Sequence, residues 1–233
     1  MRRWRDVGLG GVVAMALVCL LTPAAVSAGP VSGAVVLQGP VPDAPKVRVT
    51  IDQYVCGKEK DAEDLIIGKG NGIKNAVVWV TNPPPAPTAE GTPATAMDQK
   101  ECSFTPRVVV VGAGGRVDFL NSDRLLHNLH SVPKNNAPFN RTQPKGRTIP
   151  ITFAQPEIIP INCDLHSWMR GWVVVTEHPF YALSDGNGEF SLPALLGGRY
   201  TLRIWHERLG TTTREVVVND QGPTTVRVEM AGR

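Results

Sequence analysis

Residues 163–175 read Cys-Asp-Leu-His-Ser-Trp-Met-Arg-Gly-Trp-Val-Val-Val. They place a thiol at Cys163, an imidazole at His166 and a thioether at Met169, each three residues after the last. A loop this short can turn all three side chains towards one point. The valine-rich run that follows is typical of a strand. The stretch therefore predicts a cluster of ligand side chains that leads directly into a β-strand.

These side chains form a donor set that favours copper. Soft sulfur together with imidazole selects copper over hard cations, and a weakly bound methionine is typical of a type 1 (blue) copper centre. A trigonal site needs a second histidine from another strand, and His127 lies just past the strand-like residues 117–120. His130 is the alternative ligand. Side chains three residues apart on an extended strand point to opposite faces, so only one of the two should face Cys163.

The rest of the chain predicts an all-β protein. Short runs rich in Val, Ile, Thr and aromatic residues are separated by Gly, Pro and Asn, as at residues 34–37, 76–80, 108–111, 172–175 and 216–218. Two runs alternate cleanly between apolar and polar residues. Their apolar positions are Tyr200, Leu202 and Ile204 in the first, and Val226, Val228 and Met230 in the second. This alternation predicts antiparallel sheets with one solvent-facing side.

The first 28 residues have the features of a secretory signal peptide. Three arginines precede a largely apolar run, and small residues end at Ala28, after which we predict cleavage. The apolar run is too short for a full span, so we expect no membrane span in the mature form. The interpretation implies an exported protein, periplasmic or extracellular. The full chain carries a net charge of +3 and its first 28 residues hold three Arg and one Asp, which leaves +1. Such a balance argues against nucleic acid or an anionic membrane as the main partner.

The cysteine count bears on both the disulfide and the metal. Four cysteines are present, and Cys19 leaves with the signal peptide. In an oxidising compartment three cysteines leave one thiol unpaired. Cys56 and Cys102 lie among ordinary loop and strand residues and are the candidate disulfide. Cys163 has metal-ligating neighbours and is the thiol that we exempt from pairing.

Two breaks in composition divide the mature chain. A proline- and alanine-rich stretch predicts a linker at residues 83–97, and Glu177-His178-Pro179 marks a second boundary. All candidate copper ligands lie between these breaks, in a predicted copper domain at 98–177. The flanking segments 29–82 and 178–233 resemble two halves of a carboxypeptidase regulatory-like domain, a small transthyretin-like β-sandwich. The resemblance rests on VSGAV at 31–35 and DGNGEF at 185–190. Alternatively, residues 29–82 add strands to one large sandwich.

Residues 97–175 resemble the amicyanin–plastocyanin branch of the cupredoxins, which are Greek-key β-sandwiches. The shared features are FTP at 104–106 before a strand, the pair His127-Asn128, and Cys-x-x-His-x-x-Met followed by Arg-Gly and a valine-rich strand. The resemblance implies that His127 and His166 bind copper through imidazole nitrogen, Cys163 through thiolate and Met169 as a weak axial ligand. Asn128 would tie the two ligand loops together and donate to the sulfur. Leu126 departs from the family, which has proline there, and Trp168 is bulky beside the axial position.

The resemblance also implies a function. We expect one-electron transfer between periplasmic redox partners, with brief docking at an exposed edge of His166 in an apolar patch. The alternative is copper sequestration or delivery without a redox role, which uses the same ligands. An oxidase or nitrite reductase needs further histidine clusters for an open catalytic copper. The chain has five histidines and no His-x-His pair, so we expect no enzyme activity.

Overall fold

The structure, a computed structural model, describes residues 28–85, 94–219 and 222–232. The predicted signal peptide lies outside these residues except for Ala28, its last. The described ranges contain eighteen strands, one α-helical turn and one 3-10 turn, so the predicted all-β class is confirmed. None of their helices is long and apolar enough to cross a membrane.

The elements follow one another in a simple order. In the first part of the chain they are β1 (Ala28–Gln38), β2 (Lys46–Arg48), α1 (Gln53–Cys56), β3 (Glu59–Asp61), the 3-10 turn Lys69–Asn71 and β4 (Val77–Val80). In the middle they are β5 (Thr95–Lys100), β6 (Ser103–Thr105), β7 (Val108–Gly112), β8 (Gly115–Asn121), β9 (His127–Ser131), β10 (Phe139–Gln143), β11 (Ile149–Phe153), β12 (Glu157–Asn162) and β13 (Arg170–Thr176). The last are β14 (Tyr181–Leu183), β15 (Glu189–Leu196), β16 (Gly198–His206), β17 (Gly210–Val218) and β18 (Thr224–Ala231).

Strands from both ends of the chain form what we call the terminal sandwich. One sheet has the strand order β15-β1-β18 and the other β14-β4-β16-β17. The predicted alternation is observed: Val226, Val228 and Met230 are buried in the core of this sandwich, while Arg227 and Glu229 between them are exposed. This core buries the inner faces of both sheets, as sheet-on-sheet packing requires.

The middle strands form a second sandwich, the central sandwich, with its own core. Its sheets have the orders β10-β9-β12-β13-β7 and β11-β8-β5-β6. The sheets approach closely at Gly171, where an added Cβ would lie 3.0 Å from Phe104 Cβ and 3.1 Å from Met97 Sδ. The absence of a side chain at Gly171 therefore lets β13 pack directly on the opposite sheet.

Strand β13 is buried on both faces, which explains its unbroken run of valines. Val173 and Val175 face the central core, whereas Val174 belongs to a smaller apolar cluster between the two sandwiches. Trp205 of β16 lies in the same cluster, and its ring centroid is 5.1 Å from that of Trp172. The outer face of the five-stranded sheet is thus covered at β7 and β13, whereas Asn140 and Thr142 of β10 are exposed.

The segment 46–61 differs from the prediction for residues 29–82. Although its neighbours in sequence join the terminal sandwich, Val49 and Cys56 are buried in the core of the central sandwich. Strands β2 and β3 pair only with each other in the described sheets. This segment lies on the central sandwich because its apolar side chains are buried there and because Cys56 forms a disulfide with Cys102 of that sandwich.

Two further expectations need correction. The predicted linker 83–97 ends early, because β5 begins at Thr95 and Met97 is fully buried opposite Phe119. The Thr-Ala-Met sequence at the start of β5 resembles the low-complexity stretch before it, so the sequence pattern did not reveal the strand. Residues 86–93 of the predicted linker lie outside the described residues. The sheets are also mixed, since three pairings are parallel among the described strands: β1 with β18, β5 with β8 and β7 with β13. These strands are separated by other elements, so no tight hairpin joins them.

Candidate metal centre

The loop between β12 and β13 brings its three ligand candidates to one end of the central sandwich. The Cys163 N–H donates to the Met169 carbonyl over 3.3 Å, and the Met169 N–H donates to the His166 carbonyl over 2.8 Å. These bonds close the loop into a tight turn. All three side chains are buried, with at most 2% of their surface exposed. Met169 and Cys163 both belong to the core of the central sandwich.

His127, the first residue of β9, completes the cluster from a separate strand. Its Nδ1 lies 3.0 Å from the Nδ1 of His166, which is itself 3.5 Å from the Cys163 sulfur. The distance from His127 Nδ1 to that sulfur is 3.9 Å. The three donor atoms therefore lie close enough together to hold one metal ion.

His130 points away from the cluster, as expected for a side chain three residues along a strand. It is partly exposed, and its Nδ1 lies 2.8 Å from the Asp164 carboxylate. That contact holds the pKa of Asp164 below its ordinary value, with help from the amides of Asn128 and Asn140. Of the two candidates left open by the sequence, His127 is the one that faces Cys163.

The loop before His127 is folded by buried amide contacts. The Asn121 side chain donates to the carbonyl of Leu125 over 3.0 Å and to that of Gln143 over 2.8 Å. Its oxygen accepts from the Asp123 N–H over 3.0 Å. These contacts turn the chain so that Asp123 comes back under the ring of His127, with Asp123 Oδ2 2.9 Å from His127 Nε2.

Asn128 links the two ligand loops. Its side-chain oxygen accepts from the Asp164 N–H over 2.6 Å, and its amide nitrogen donates to the Asp164 carboxylate over 3.0 Å. Its backbone N–H acts to lower the pKa of the Cys163 thiol. Asn128 therefore favours the thiolate form of that side chain.

Burial shifts the pKa values of the cysteine and histidine ligands in opposite directions. It raises the pKa of the Cys163 thiol, while the backbone N–H groups of Asn128, His166 and Leu165 work against that rise. Burial also lowers the pKa of His127, partly opposed by its hydrogen bond to Asp123. The metal-free site therefore favours a neutral imidazole, the form that binds metal, and a thiol whose proton a metal must displace.

The disulfide predicted between Cys56 and Cys102 is present. Cys102 lies near Asp123 and His127, and the three could form a second metal-binding group by distance alone. Its sulfur is committed to the disulfide, however, so it is not a ligand. The Cys102 carbonyl accepts from the Trp168 indole over 3.2 Å, which anchors the bulky side chain of that residue over the ligand loop.

Two carboxylates at the centre were missed by sequence reasoning. Asp123 contacts His127, and Asp52 Oδ2 lies 3.1 Å from the Nε2 of His166. Asp123 could have been found from its position four residues before a candidate ligand. Asp52 lies 114 residues from His166 and carries no local signal. Its contact corrects the expectation of an exposed histidine edge, because the His166 side chain is fully buried.

The donor chemistry fits copper. The atoms that face one another are one sulfur and two imidazole nitrogens, with a buried methionine in the same loop, while both carboxylates contact the far sides of the rings. Thiolate and imidazole without a carboxylate suit copper better than hard cations. Zinc accepts the same donors, so the buried thioether of Met169 is the feature that favours copper.

Comparisons with known proteins give matches of low similarity. No protein-family model and no curated protein sequence matches the chain. The copper-containing nitrite reductase NirK from Thermus scotoductus SA-01 is 24% identical with a TM-score of 0.35, over 40% of this chain and 26% of the reductase. The chain thus spans about a quarter of that enzyme. A mutant of amicyanin in its reduced Cu(I) form is 24% identical with a TM-score of 0.33, over 42% and 97% of the two chains. A purple cupredoxin from Nitrosopumilus maritimus is 20% identical with a TM-score of 0.32, over 35% and 99%.

Proposed function

We propose that this protein is an exported type 1 copper protein that carries single electrons between redox partners. The observation that carries the proposal is the convergence of one buried thiol and two imidazole Nδ1 atoms within 4.8 Å of one another. His127, His166 and Cys163 would hold the ion, and the Met169 thioether would be a further, weaker ligand. Copper bound there supplies a one-electron couple.

The surroundings of the ligands suit electron transfer because they hold the ligand side chains in place and exclude water from them. Each ring has its outer nitrogen at a carboxylate, and nearby backbone N–H groups favour the thiolate form of Cys163. Neither ring can turn without breaking such a contact, and all three ligand side chains are almost inaccessible to water. A site that does not rearrange between oxidation states has a small reorganisation cost, whereas an enzyme needs an open coordination position.

The other three histidines are engaged elsewhere. His130 contacts Asp164, His178 lies 2.7 Å from the Val80 carbonyl, and the Nδ1 of buried His206 accepts from the Arg208 N–H over 3.4 Å. A second, catalytic copper would need several of these rings in one place. Their separate contacts favour a carrier over an oxidase or a reductase.

We place the docking surface beside the ligand loop and not on His166 itself. Leu165 precedes His166 and has 45% of its surface exposed, while Ile51 and Tyr54 flank Asp52 and are 46% and 80% exposed. Exposed apolar side chains next to a buried redox centre favour a brief contact of small area. An electron would then cross the thin layer formed by Asp52 and the ligand loop.

We also propose that the terminal sandwich is one unit into which the central sandwich is inserted. Its two sheets draw strands from residues 28–80 and 181–231 and share one core. Its resemblance to carboxypeptidase regulatory-like domains stays a prediction from sequence. Export is supported by the Cys56–Cys102 disulfide, because such bonds persist in oxidising compartments.

Voltammetry of the copper-loaded protein, combined with a chelator challenge, tests the proposed role. We expect one reversible one-electron wave and slow loss of copper to a mild chelator. Rapid loss of copper without a reversible wave would favour sequestration or delivery instead. Turnover of nitrite or dioxygen by the loaded protein would contradict a pure carrier.

A further inference from the structure

Asp52 makes a contact that fixes the proton position on a ligand histidine. Its carboxylate lies 3.1 Å from His166 Nε2, on the far side of the ring from Nδ1, which is 3.5 Å from the Cys163 sulfur. A carboxylate accepts hydrogen bonds and does not donate them, so the contact places the ring proton on Nε2. The Nδ1 lone pair is then directed at the sulfur and at His127. Carboxylates that contact the far nitrogen of a metal-binding histidine set its tautomer and orientation in this way.

The backbone around Asp52 is shaped to present this carboxylate. Asp52 has φ of 51°, the left-handed conformation, which aspartate tolerates better than most residues. Its carbonyl accepts from the N–H groups of Val55 and Cys56 over 3.0 and 2.9 Å, which closes the single turn α1. The Val49 N–H donates to the Lys58 carbonyl over 3.0 Å, so residues 49–58 form a closed loop.

This loop, together with β2 and β3, forms a cover over the metal centre, which we define as residues 46–61. Val49 and Cys56 are buried in the core below it. The Lys60 ammonium contacts the Glu101 carbonyl, and Cys56 is bonded to Cys102. The cover is therefore attached to the central sandwich by apolar, polar and covalent contacts. The strands before and after it in the sequence, β1 and β4, belong to the terminal sandwich.

The same disulfide joins the supports of both histidines. Asp52 lies four residues before Cys56, and the N–H of Cys102 donates to Asp123 Oδ2 over 2.8 Å. Asp123 in turn contacts His127. One covalent bond thus connects the element that orients His166 with the element that orients His127.

From this arrangement we propose that Asp52 is a positioning residue for His166, and that the cover must lift before the bound metal can exchange. The inference rests on metal binding by the proposed ligands and does not need the electron-transfer role. It assigns the segment 46–61, which sequence analysis placed with the flanking sandwich, to the metal centre.

The test compares Asp52→Asn and Asp52→Ala with Glu59→Gln in the full chain. Glu59 is an exposed acid on the same cover, in β3, so its substitution removes equal charge without touching a ring. We expect Asp52→Ala to lose copper to a chelator about 10–100-fold faster than wild type. The rate of copper loss of Asp52→Asn should lie between those of wild type and Asp52→Ala, because the amide oxygen still accepts from Nε2. Glu59→Gln should lose copper at the wild-type rate. The reduction potential should rise in both Asp52 variants, since a nearby negative charge that favours the oxidised metal is gone.

A second readout does not depend on the metal. Nitrogen NMR of the metal-free wild type should show the His166 proton on Nε2, and Asp52→Ala should shift the ring towards the other tautomer. Copper binding by wild type with unchanged exchange rate, potential and tautomer in Asp52→Ala would overturn this inference while leaving the proposed function intact. Failure of wild type to bind copper at all would instead overturn the proposed function. If Glu59→Gln changed copper loss and potential as much as Asp52→Ala does, Asp52 would act only through its charge, and the inference would also be overturned.

Discussion

The Nδ1 atoms of His127 and His166 lie 3.0 Å apart, while the Nε2 atoms of the same rings lie at the carboxylates of Asp123 and Asp52. If both carboxylates accept a ring proton, both Nδ1 atoms are left as acceptors that face each other. Two lone pairs at this distance repel unless a proton or a metal ion lies between them. The buried polar arrangement is therefore complete only with a cation.

Metal binding should stabilise the folded chain through these two nitrogens. At a free copper concentration 100 times the dissociation constant, the free energy of unfolding should rise by about 2.7 kcal/mol. Denaturant unfolding with and without copper measures this increment. His127→Gln should abolish it, whereas the matched substitution His130→Gln should retain it. The reverse pattern would show that the ligand assignment of these two histidines is wrong.

Removal of the disulfide should loosen both the fold and the cover. The bond closes a loop with a sequence separation of 46 residues, and chain-entropy reasoning gives a stabilisation of about 4 kcal/mol for such a loop. Denaturant unfolding of Cys56→Ser/Cys102→Ser should show a loss of this order, and its copper should be lost faster to a chelator. Reduced stability with an unchanged rate of copper loss would mean that the cover is held without the bond.

The stability of the metal-free protein should depend on pH at both ends of the neutral range. The pKa of His127 is lowered from 6.5 by burial, so the unfolded chain binds this proton first and stability falls as the pH falls below 6.5. The pKa of Cys163 is raised from 9.0 by burial, so stability is lost as the pH rises above 9.0. The free energy of unfolding, measured at intervals of about one pH unit between pH 5 and pH 10, should therefore pass through a maximum.

Substitutions separate the two limbs of this pH profile. His127→Gln should flatten part of the acid limb, and buried His206, whose pKa is also lowered by desolvation, accounts for a further part of the same sign. Cys163→Ser should flatten the alkaline limb and leave the acid limb unchanged. A profile for Cys163→Ser that matches wild type above pH 9.0 would contradict the burial of an ionisable thiol there.

Charge at the docking surface should slow electron exchange. Leu165→Lys places like charges opposite each other when two copies meet through this surface, and we expect the electron self-exchange rate to fall by about tenfold. Val217→Lys is the matched control, because Val217 is 52% exposed on β17, an edge strand of the terminal sandwich. Nuclear relaxation of mixed Cu(I) and Cu(II) samples measures both rates. Equal slowing by the two substitutions would rule out a docking surface beside the ligand loop.

Local patterns account for the part of the structure that sequence reasoning predicted. The inward positions of β18 follow from strict alternation, which depends only on neighbouring residues. Cys163 and His166 meet because they lie three positions apart on one short loop. The Cys56–Cys102 bond followed from a count of three cysteines with one reserved for metal.

The remaining features depend on packing between distant segments. Asp52 reaches His166 across 114 residues, and no motif marks it. His166 is fully buried, so the expected exposed edge could not be corrected without the structure. Thr95 begins a strand only because β8 lies beside it in parallel, with Thr95 opposite Val117. Non-local pairings of this kind leave no periodic signal in a single sequence.

The most direct test of the central claim is the absorption spectrum and metal content of the Cu(II)-loaded wild type beside Cys163→Ser. We predict one copper per wild-type chain and an intense visible thiolate-to-copper band that Cys163→Ser lacks. A colourless wild type, or a visible spectrum that survives the loss of the Cys163 sulfur, would contradict it.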